Sequence, residues 1–288
     1  MAAKSRPNLL AATAGLLTGS ALLLVVAFVA PIVVDAEEGE KPWLTLEELS
    51  AGRLIVEPPP TSAPVSTMIE PAATPTTVPP PALRETLVAT VRPEIDAIWP
   101  TTEPGGSEFV DLEYRVTNPT YFDNPLTLMV TDRTADGAWL KVQIPVRPNG
   151  TEGWISASDV DLSSHFVRIE VKLAERLVRV WDGETLVVET SAGIGHKTTP
   201  TPLGTFFVND LVERVEGSSY GPYILSLSAF SEALETYGGG IPVIAIHGTN
   251  RPDLIGGAHS AGCVRIENDV IRFLAEVVPM GTPVTISA

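Results

Sequence analysis

The residues best able to do covalent chemistry lie near the C-terminus, where a cysteine follows a histidine by 16 positions. His247 opens the triplet His-Gly-Thr, and Cys263, the single cysteine in 288 residues, follows Ser-Ala-Gly. A thiol attacks carbonyl carbons as a thiolate, and a nearby histidine or arginine favours that form. The pair predicts a cysteine nucleophile with His247 as its base, although a lone cysteine is more often a small buried apolar residue.

The segments that contain these two residues resemble a known family. His-Gly-Thr at 247–249 and Ser-x-Gly-Cys-x-Arg at 260–265 are similar to the active-site signature of L,D-transpeptidases with a YkuD-type catalytic domain. The Thr-Pro-x-Gly-x-Phe stretch at 201–206 is similar to another element of that family. The resemblance covers about residues 164–288 and implies a β-sandwich with one or two short helices.

Each motif residue has an expected role in acyl transfer. Cys263 would attack an amide carbonyl, His247 would transfer the protons, and the backbone N–H groups of Gly262 and Cys263 would form an oxyanion hole. Arg265 would hold a substrate carboxylate, with a structural ion pair as the alternative. The resemblance adds that the carbonyl of Gly248 would orient the imidazole.

One position departs from the family signature. Ala261 stands where the family commonly has a second histidine, so the auxiliary positioning role of that histidine is open. His259 is the nearest substitute, and Ser260 is expected to shape the loop. We also predict substrate contacts from Thr249 and from Tyr223, which belongs to a stretch rich in tyrosine and glycine that is either a substrate lid or an ordinary loop.

The resemblance implies a cross-linking reaction in the bacterial cell wall. A tetrapeptide stem of peptidoglycan would donate the acyl group of its third residue, release D-alanine and join the side-chain amine of another stem, giving a 3→3 cross-link. Carbapenem-type inhibitors would acylate Cys263. An L,D-carboxypeptidase that transfers the same acyl group to water is one alternative, and a non-catalytic wall-binding protein is another. The four histidines show no metal-binding spacing, so we expect neither a metal nor a cofactor.

The elements that must position these residues are predicted to be mainly β-strands. In residues 105–162, the turn signal Asp136-Gly137 and four or five short strands resemble a bacterial SH3-like β-barrel. In residues 164–288, alternating apolar residues again predict strands, and the spacing from Val270 to Val278 predicts a short helix. The predicted fold class is therefore mainly β: a YkuD-type sandwich preceded by a small SH3-like barrel and an N-terminal transmembrane helix.

The N-terminal part of the chain predicts an exported protein held at the membrane. The 26 residues from Leu9 to Val34 carry no charge, enough for a helix to cross a bilayer core of ~30 Å. We expect residues 1–36 to be an anchor, or else a cleaved signal peptide, with the catalytic domain facing the cell wall. Residues 37–104 predict a spacer, because nine of the 25 residues from Glu57 to Pro81 are proline. The net charge of −16 argues against a nucleic-acid partner.

Overall fold

A computed structural model describes residues 85–109, 115–215 and 217–288, which fold mainly as β-strands. All of these residues belong to one compact unit of the chain, residues 74–288. The predicted N-terminal anchor and most of the predicted spacer lie outside the described residues. Within the described ranges, no helix has the length and apolar character needed to cross a membrane.

Five antiparallel strands form the first sheet. They are β1 (Thr86–Val91), β4 (Thr127–Arg133), β5 (Trp139–Gln143), β6 (Glu152–Ser156) and β7 (Val160–His165), while β2 (Ala97–Ile98) and β3 (Val116–Thr117) pair separately as a short ribbon. The strand order is β6-β5-β4-β1-β7. The expected hairpin turn joins β4 to β5, and Gly137 in that turn has φ +70°, a conformation that suits glycine.

The first sheet begins earlier in the chain than the sequence predicted. Strand β1 lies inside residues 37–104, which were assigned to the spacer, so the folded region spans 86–165 rather than 105–162. The reason is that Val88, Ala89 and Val91 are buried between β4 and β7. The resemblance of this region to SH3-like domains stays a prediction.

The second sheet contains eight strands and carries the predicted catalytic motifs. They are β8 (Val167–Lys172), β9 (Leu177–Asp182), β10 (Thr185–Ser191), β12 (Gly204–Glu213), β13 (Tyr223–Phe230), β14 (Val243–His247), β16 (Val264–Arg265) and β17 (Pro283–Ser287). Their order is β10-β9-β8-β17-β12-β13-β14-β16. Strands β11 (Ile194–Gly195) and β15 (Ala258–Ser260) form a parallel ribbon beside this sheet.

One α-helix packs against the second sheet. Helix α1 (Asn268–Val277) buries Ile271 and Leu274 in the core beneath β13 and β14, as the apolar spacing predicted. The N-cap residue Glu267 makes no side-chain capping bond, and Asn268, the first helical residue, accepts from the Thr249 N–H instead. Two 3-10 turns, Ala157–Asp159 and Pro252–Leu254, complete the regular elements of the described ranges.

Candidate active site

A cavity of about 160 Å³ lies where β14 and β16 end side by side. The two strands are parallel, and their register pairs Ile246 with Val264 and His247 with Arg265. This pairing brings the His-Gly-Thr motif and the cysteine motif to one edge of the sheet. The cavity is lined by Ser219, Tyr220, Tyr237, Pro242, Val243, Ile244, His247, Ser260, Ala261, Cys263 and Arg265.

His247 is a buried imidazole with one nitrogen fixed by the backbone. Its side chain is 2% exposed, and Nδ1 donates a hydrogen bond to the carbonyl oxygen of Gly248 at 2.5 Å. This bond is the one that the family resemblance implied, and it leaves Nε2 with its lone pair. Burial lowers the pKa of His247 to about 4 against the opposing Gly248 bond, and the Arg265 charge lowers it further. The imidazole is therefore neutral at pH 7 and able to accept a proton.

Cys263 is partly buried and lines the same cavity. Burial raises the pKa of its thiol, while the Ala245 amide and the positive charge of Arg265 act in the opposite direction. The thiol also lies 3.9 Å from the carbonyl oxygen of Val243. Because the thiol pKa is raised and the imidazole pKa is lowered, Cys263 and His247 are both neutral before reaction. The thiol must therefore lose its proton as the sulfur attacks.

The turn that presents the cysteine is held by Ser260. Its Oγ donates to the Cys263 carbonyl at 2.5 Å and accepts from the Gly262 N–H at 3.1 Å. Gly262 has φ +122°, and a Cβ at this position would lie 2.7 Å from Cδ1 of Ile244. The turn thus requires glycine at this position. The Gly262 N–H, predicted to form part of an oxyanion hole, donates to Ser260 Oγ in this structure, and its role toward a substrate stays a prediction.

A second set of hydrogen bonds holds this turn, and it comes from Thr199 and from Thr201, the first residue of the Thr-Pro-x-Gly-x-Phe stretch. Thr201 Oγ1 donates to the Gly262 carbonyl at 2.8 Å and accepts from the Gly195 N–H at 3.0 Å. The Ser260 carbonyl accepts from Thr199 Oγ1 at 3.1 Å. Thr201 had no predicted role of its own, although the motif that contains it was the available signal.

Arg265 directs an uncommitted guanidinium at the cavity. Its backbone is fixed by two hydrogen bonds of 2.8 Å with Gly193, and its side chain lines the cavity beside Cys263. The Nε atom is buried without a hydrogen-bond partner. In the described part of the chain Arg265 forms no ion pair. The predicted alternative, a structural ion pair, is therefore not seen, and the group suits an anionic ligand.

Three residues predicted to contact substrate do not line the cavity. His259 is exposed on β15 and its ring lies over Gly257. The Thr249 side chain is 3% exposed, its N–H donates to Asn268 Oδ1 at 2.8 Å, and its Oγ1 accepts from the Arg251 N–H. The Tyr223 ring packs on the core of the second sheet because β13 begins at that residue. Their predicted contacts with substrate stay predictions, since the structure places all three outside the lining of this cavity.

Two tyrosines that the sequence analysis did not select lie at the site instead. Tyr220 precedes β13, and Tyr237 belongs to the connection between β13 and β14; both line the cavity. The Tyr220 ring meets the His247 ring edge-on, with centroids 4.9 Å apart. Burial raises the pKa of Tyr220, and the nearby Tyr237 and Cys263 raise it further. The tyrosine-rich stretch was the signal, but which tyrosine faces the cavity depends on where β13 begins.

Comparison with known proteins identifies the second sheet and its helix. Residues 167–286 match the model of the YkuD L,D-transpeptidase catalytic domain. The YkuD protein of Bacillus licheniformis, provisionally assigned as an L,D-transpeptidase, is 38% identical over 120 residues, which are 42% of this chain and 65% of that protein. YkuD of Bacillus subtilis (strain 168), with the same provisional assignment, is 42% identical over 94 residues, 33% of this chain and 49% of that protein.

The chain therefore spans less than two thirds of the length of these curated relatives. Among solved structures, a mutant L,D-transpeptidase of Enterococcus faecium is 25% identical, with 42% of this chain and 49% of that chain covered and a TM-score of 0.34.

Proposed function

Because residues 167–286 carry a YkuD L,D-transpeptidase catalytic domain, we propose that this protein forms 3→3 cross-links in peptidoglycan through a thioester on Cys263. The observation that most supports the proposal is the shared cavity. It combines a thiol, an imidazole that is neutral at pH 7 and can take its proton, and a guanidinium without an ion-pair partner in the described ranges. These are the groups that acyl transfer from a carboxylate-bearing peptide requires.

In the first half-reaction, Cys263 Sγ attacks the carbonyl carbon of the third residue of a tetrapeptide stem. Nε2 of His247 takes the thiol proton, and the backbone N–H of Cys263 stabilises the negative charge on the carbonyl oxygen. The bond to the terminal D-alanine then breaks, and the imidazolium gives its proton to the leaving amine. Arg265 binds the carboxylate of the donor stem and fixes its direction of entry.

In the second half-reaction, the side-chain amine of another stem attacks the thioester. His247 removes the proton from the amine, the carbon–sulfur bond breaks, and the thiol is restored. The new amide bond is the 3→3 cross-link. The same thiol would open the strained amide of a carbapenem and retain it as a thioester, which is why such compounds are expected to inhibit this enzyme.

The cross-linking reaction also requires the catalytic domain to face the cell wall. The uncharged run from Leu9 to Val34 and the proline-rich stretch after it support a single-pass anchor with an extended spacer. On this proposal, the membrane holds the N-terminus while the catalytic domain reaches stem peptides outside the cell.

Mass spectrometry of the full chain incubated with a disaccharide-tetrapeptide tests the proposal. We expect a dimer that has lost one D-alanine, formed by the parent protein and by the surface control Arg133→Ala, and absent with Cys263→Ala. Tripeptide monomer alone would indicate an L,D-carboxypeptidase. No product, together with no carbapenem adduct on Cys263, would refute the enzymatic proposal in favour of a wall-binding protein.

A further inference from the structure

The first sheet and the second sheet are joined by a buried polar seam. Gln143 at the end of β5 donates from Nε2 to the Thr205 carbonyl at 2.9 Å and accepts from Ser228 Oγ at 2.9 Å. Ser228 Oγ also accepts from the Phe207 N–H at 3.0 Å. The Phe207 ring, fully buried, lies in the core of the first sheet. Because the buried polar groups of this seam are paired with one another, the first sheet is held in a fixed position against the second sheet.

From this platform, the connection between β5 and β6 reaches the end of β13. Asn149 pairs with the backbone of Phe230 in both directions: Nδ2 donates to the carbonyl at 2.9 Å, and the Phe230 N–H donates to Oδ1 at 2.8 Å. One amide side chain thus replaces a neighbouring strand at the point where β13 ends.

Arg147 holds the residues that follow. Its guanidinium donates to the carbonyls of Ser231 at 3.1 Å, Leu234 at 2.7 Å and Glu235 at 3.5 Å, and it lies 6.0 Å from the centre of the Phe230 ring. The Glu235 carboxylate is fully exposed and 3.9 Å away, so the ion pair contributes little. The important contacts are the three carbonyls, because a planar guanidinium can bind several oxygens at once.

The segment held by Arg147 leads directly to the cavity. Residues 231–242 leave β13 and return to β14, and the Ser231 N–H closes their base on the Pro242 carbonyl at 2.9 Å. Tyr237 stands two residues beyond the last bond to Arg147 and starts a turn in which its N–H and carbonyl pair with Gly240 at 2.9 and 3.0 Å. Tyr237 lines the cavity beside Tyr220 while remaining 53% exposed.

We propose that Arg147 is a positioning residue: by fixing residues 231–235 it places Tyr237 and so sets how far the cavity above Cys263 is open. The first sheet thereby controls access to a site to which it contributes no lining residue. The kinetic part of this inference rests on the proposed function, whereas the control of access to the thiol does not.

The alkylation rate of Cys263 by iodoacetamide, followed by mass spectrometry of the full chain, tests this inference without requiring turnover. We expect Arg147→Ala to be alkylated roughly 3- to 10-fold faster than the parent, because loss of charge-assisted hydrogen bonds releases the wall of the cavity. Arg147→Lys, which keeps the charge but not the planar fork, should lie between them and also serves if the alanine variant does not fold. Arg133→Ala, an exposed arginine on the same sheet, is the matched control and should leave the rate unchanged.

A double-mutant cycle shows whether Arg147 acts through Tyr237. Tyr237→Ala should itself increase alkylation, and adding Arg147→Ala to it should produce little further change. Fully additive effects, or a folded Arg147→Ala with the parent rate, would overturn the inference. With stem peptides as substrates, KM should rise more than kcat falls. If no cross-links form at all, the alkylation cycle still decides this inference, while the proposed function fails separately.

Discussion

At the scale of single residues, the neutral state of the proposed catalytic pair, Cys263 and His247, has a consequence for pH dependence. The pKa of His247 is lowered from 6.5 to about 4 by burial, so the imidazole keeps its lone pair through the mildly acidic range. We expect carbapenem acylation of Cys263 to fall on the acid side near pH 4, because only below that value is the base protonated. Acylation rates measured by stopped flow or mass spectrometry between pH 3.5 and 7 would show this decrease. A decrease centred near pH 6.5 would contradict the lowered pKa of His247.

The substitution Gly262→Ala tests whether the conformation of the turn that contains Cys263 matters for acylation. Gly262→Ala places a Cβ 2.7 Å from Ile244 Cδ1 at φ +122°, so we expect a stability loss of about 1–3 kcal/mol and a large loss of acylation rate. Chemical unfolding and carbapenem adduct formation are the measurements.

The control for this variant is Gly256→Ala, which also has a positive φ, +79°, but meets no atom within 4 Å. It should cost only the backbone strain, roughly 1 kcal/mol, and leave acylation intact. Equal acylation losses in the two variants would show that the contact with Ile244 is unimportant.

At the scale of elements, the stretch from β11 to β12 acts as a support for the cysteine turn. Thr201→Val keeps the shape of the side chain but removes both the bond to the Gly262 carbonyl and the bond from the Gly195 N–H. We expect about 1–3 kcal/mol of lost stability, since buried partners are left unsatisfied, and a lower rate of thioester formation. Thr198→Val is the matched control, because its hydroxyl contacts only the exposed His196, and it should behave as the parent in both assays.

The same elements show what a sequence can and cannot predict. The placement of Cys263, His247 and Arg265 around one cavity was predictable, because their motifs lie at strand ends. Thr201 and Tyr220 were not, because they reach the site through the lateral order of the strands, which depends on contacts distant in sequence. His259 lies outside the cavity lining for a local reason: it is exposed in the middle of β15, whereas its neighbour Ser260 is buried and lines the cavity.

At the scale of the whole molecule, the contact between the two sheets contains a buried acid. Asp210 on β12 accepts hydrogen bonds from Thr120 and, at 3.1 Å, from Asn124, both in the connection before β4. Burial raises the pKa of Asp210 above its ordinary 3.8, against the effect of these bonds. The folded state therefore binds the Asp210 proton more tightly than the unfolded state does. The contribution of this proton to the free energy of unfolding is complete below about pH 3.8 and declines as pH rises through the raised pKa.

This pH dependence of stability leads to a prediction for Asp210→Asn. The variant loses the charge that is buried at neutral pH, so its free energy of unfolding relative to the parent should increase from pH 4 to pH 7. The altered bond with Asn209, which donates to the other carboxylate oxygen at 2.7 Å, adds an offset that does not depend on pH. Urea unfolding at both pH values measures the difference. A difference that does not change between the two pH values would contradict the assignment.

The Phe207 ring, which belongs to β12 but lies in the core of the first sheet, bears on how this protein can be divided. The segment 167–286 that matches the catalytic domain contains Phe207. When the first sheet is removed, this aromatic side chain loses the core in which it is buried. A transplanted catalytic segment would expose it to water and become prone to self-association. A chimaera should therefore keep residues 85–288 together or replace Phe207 with a polar residue.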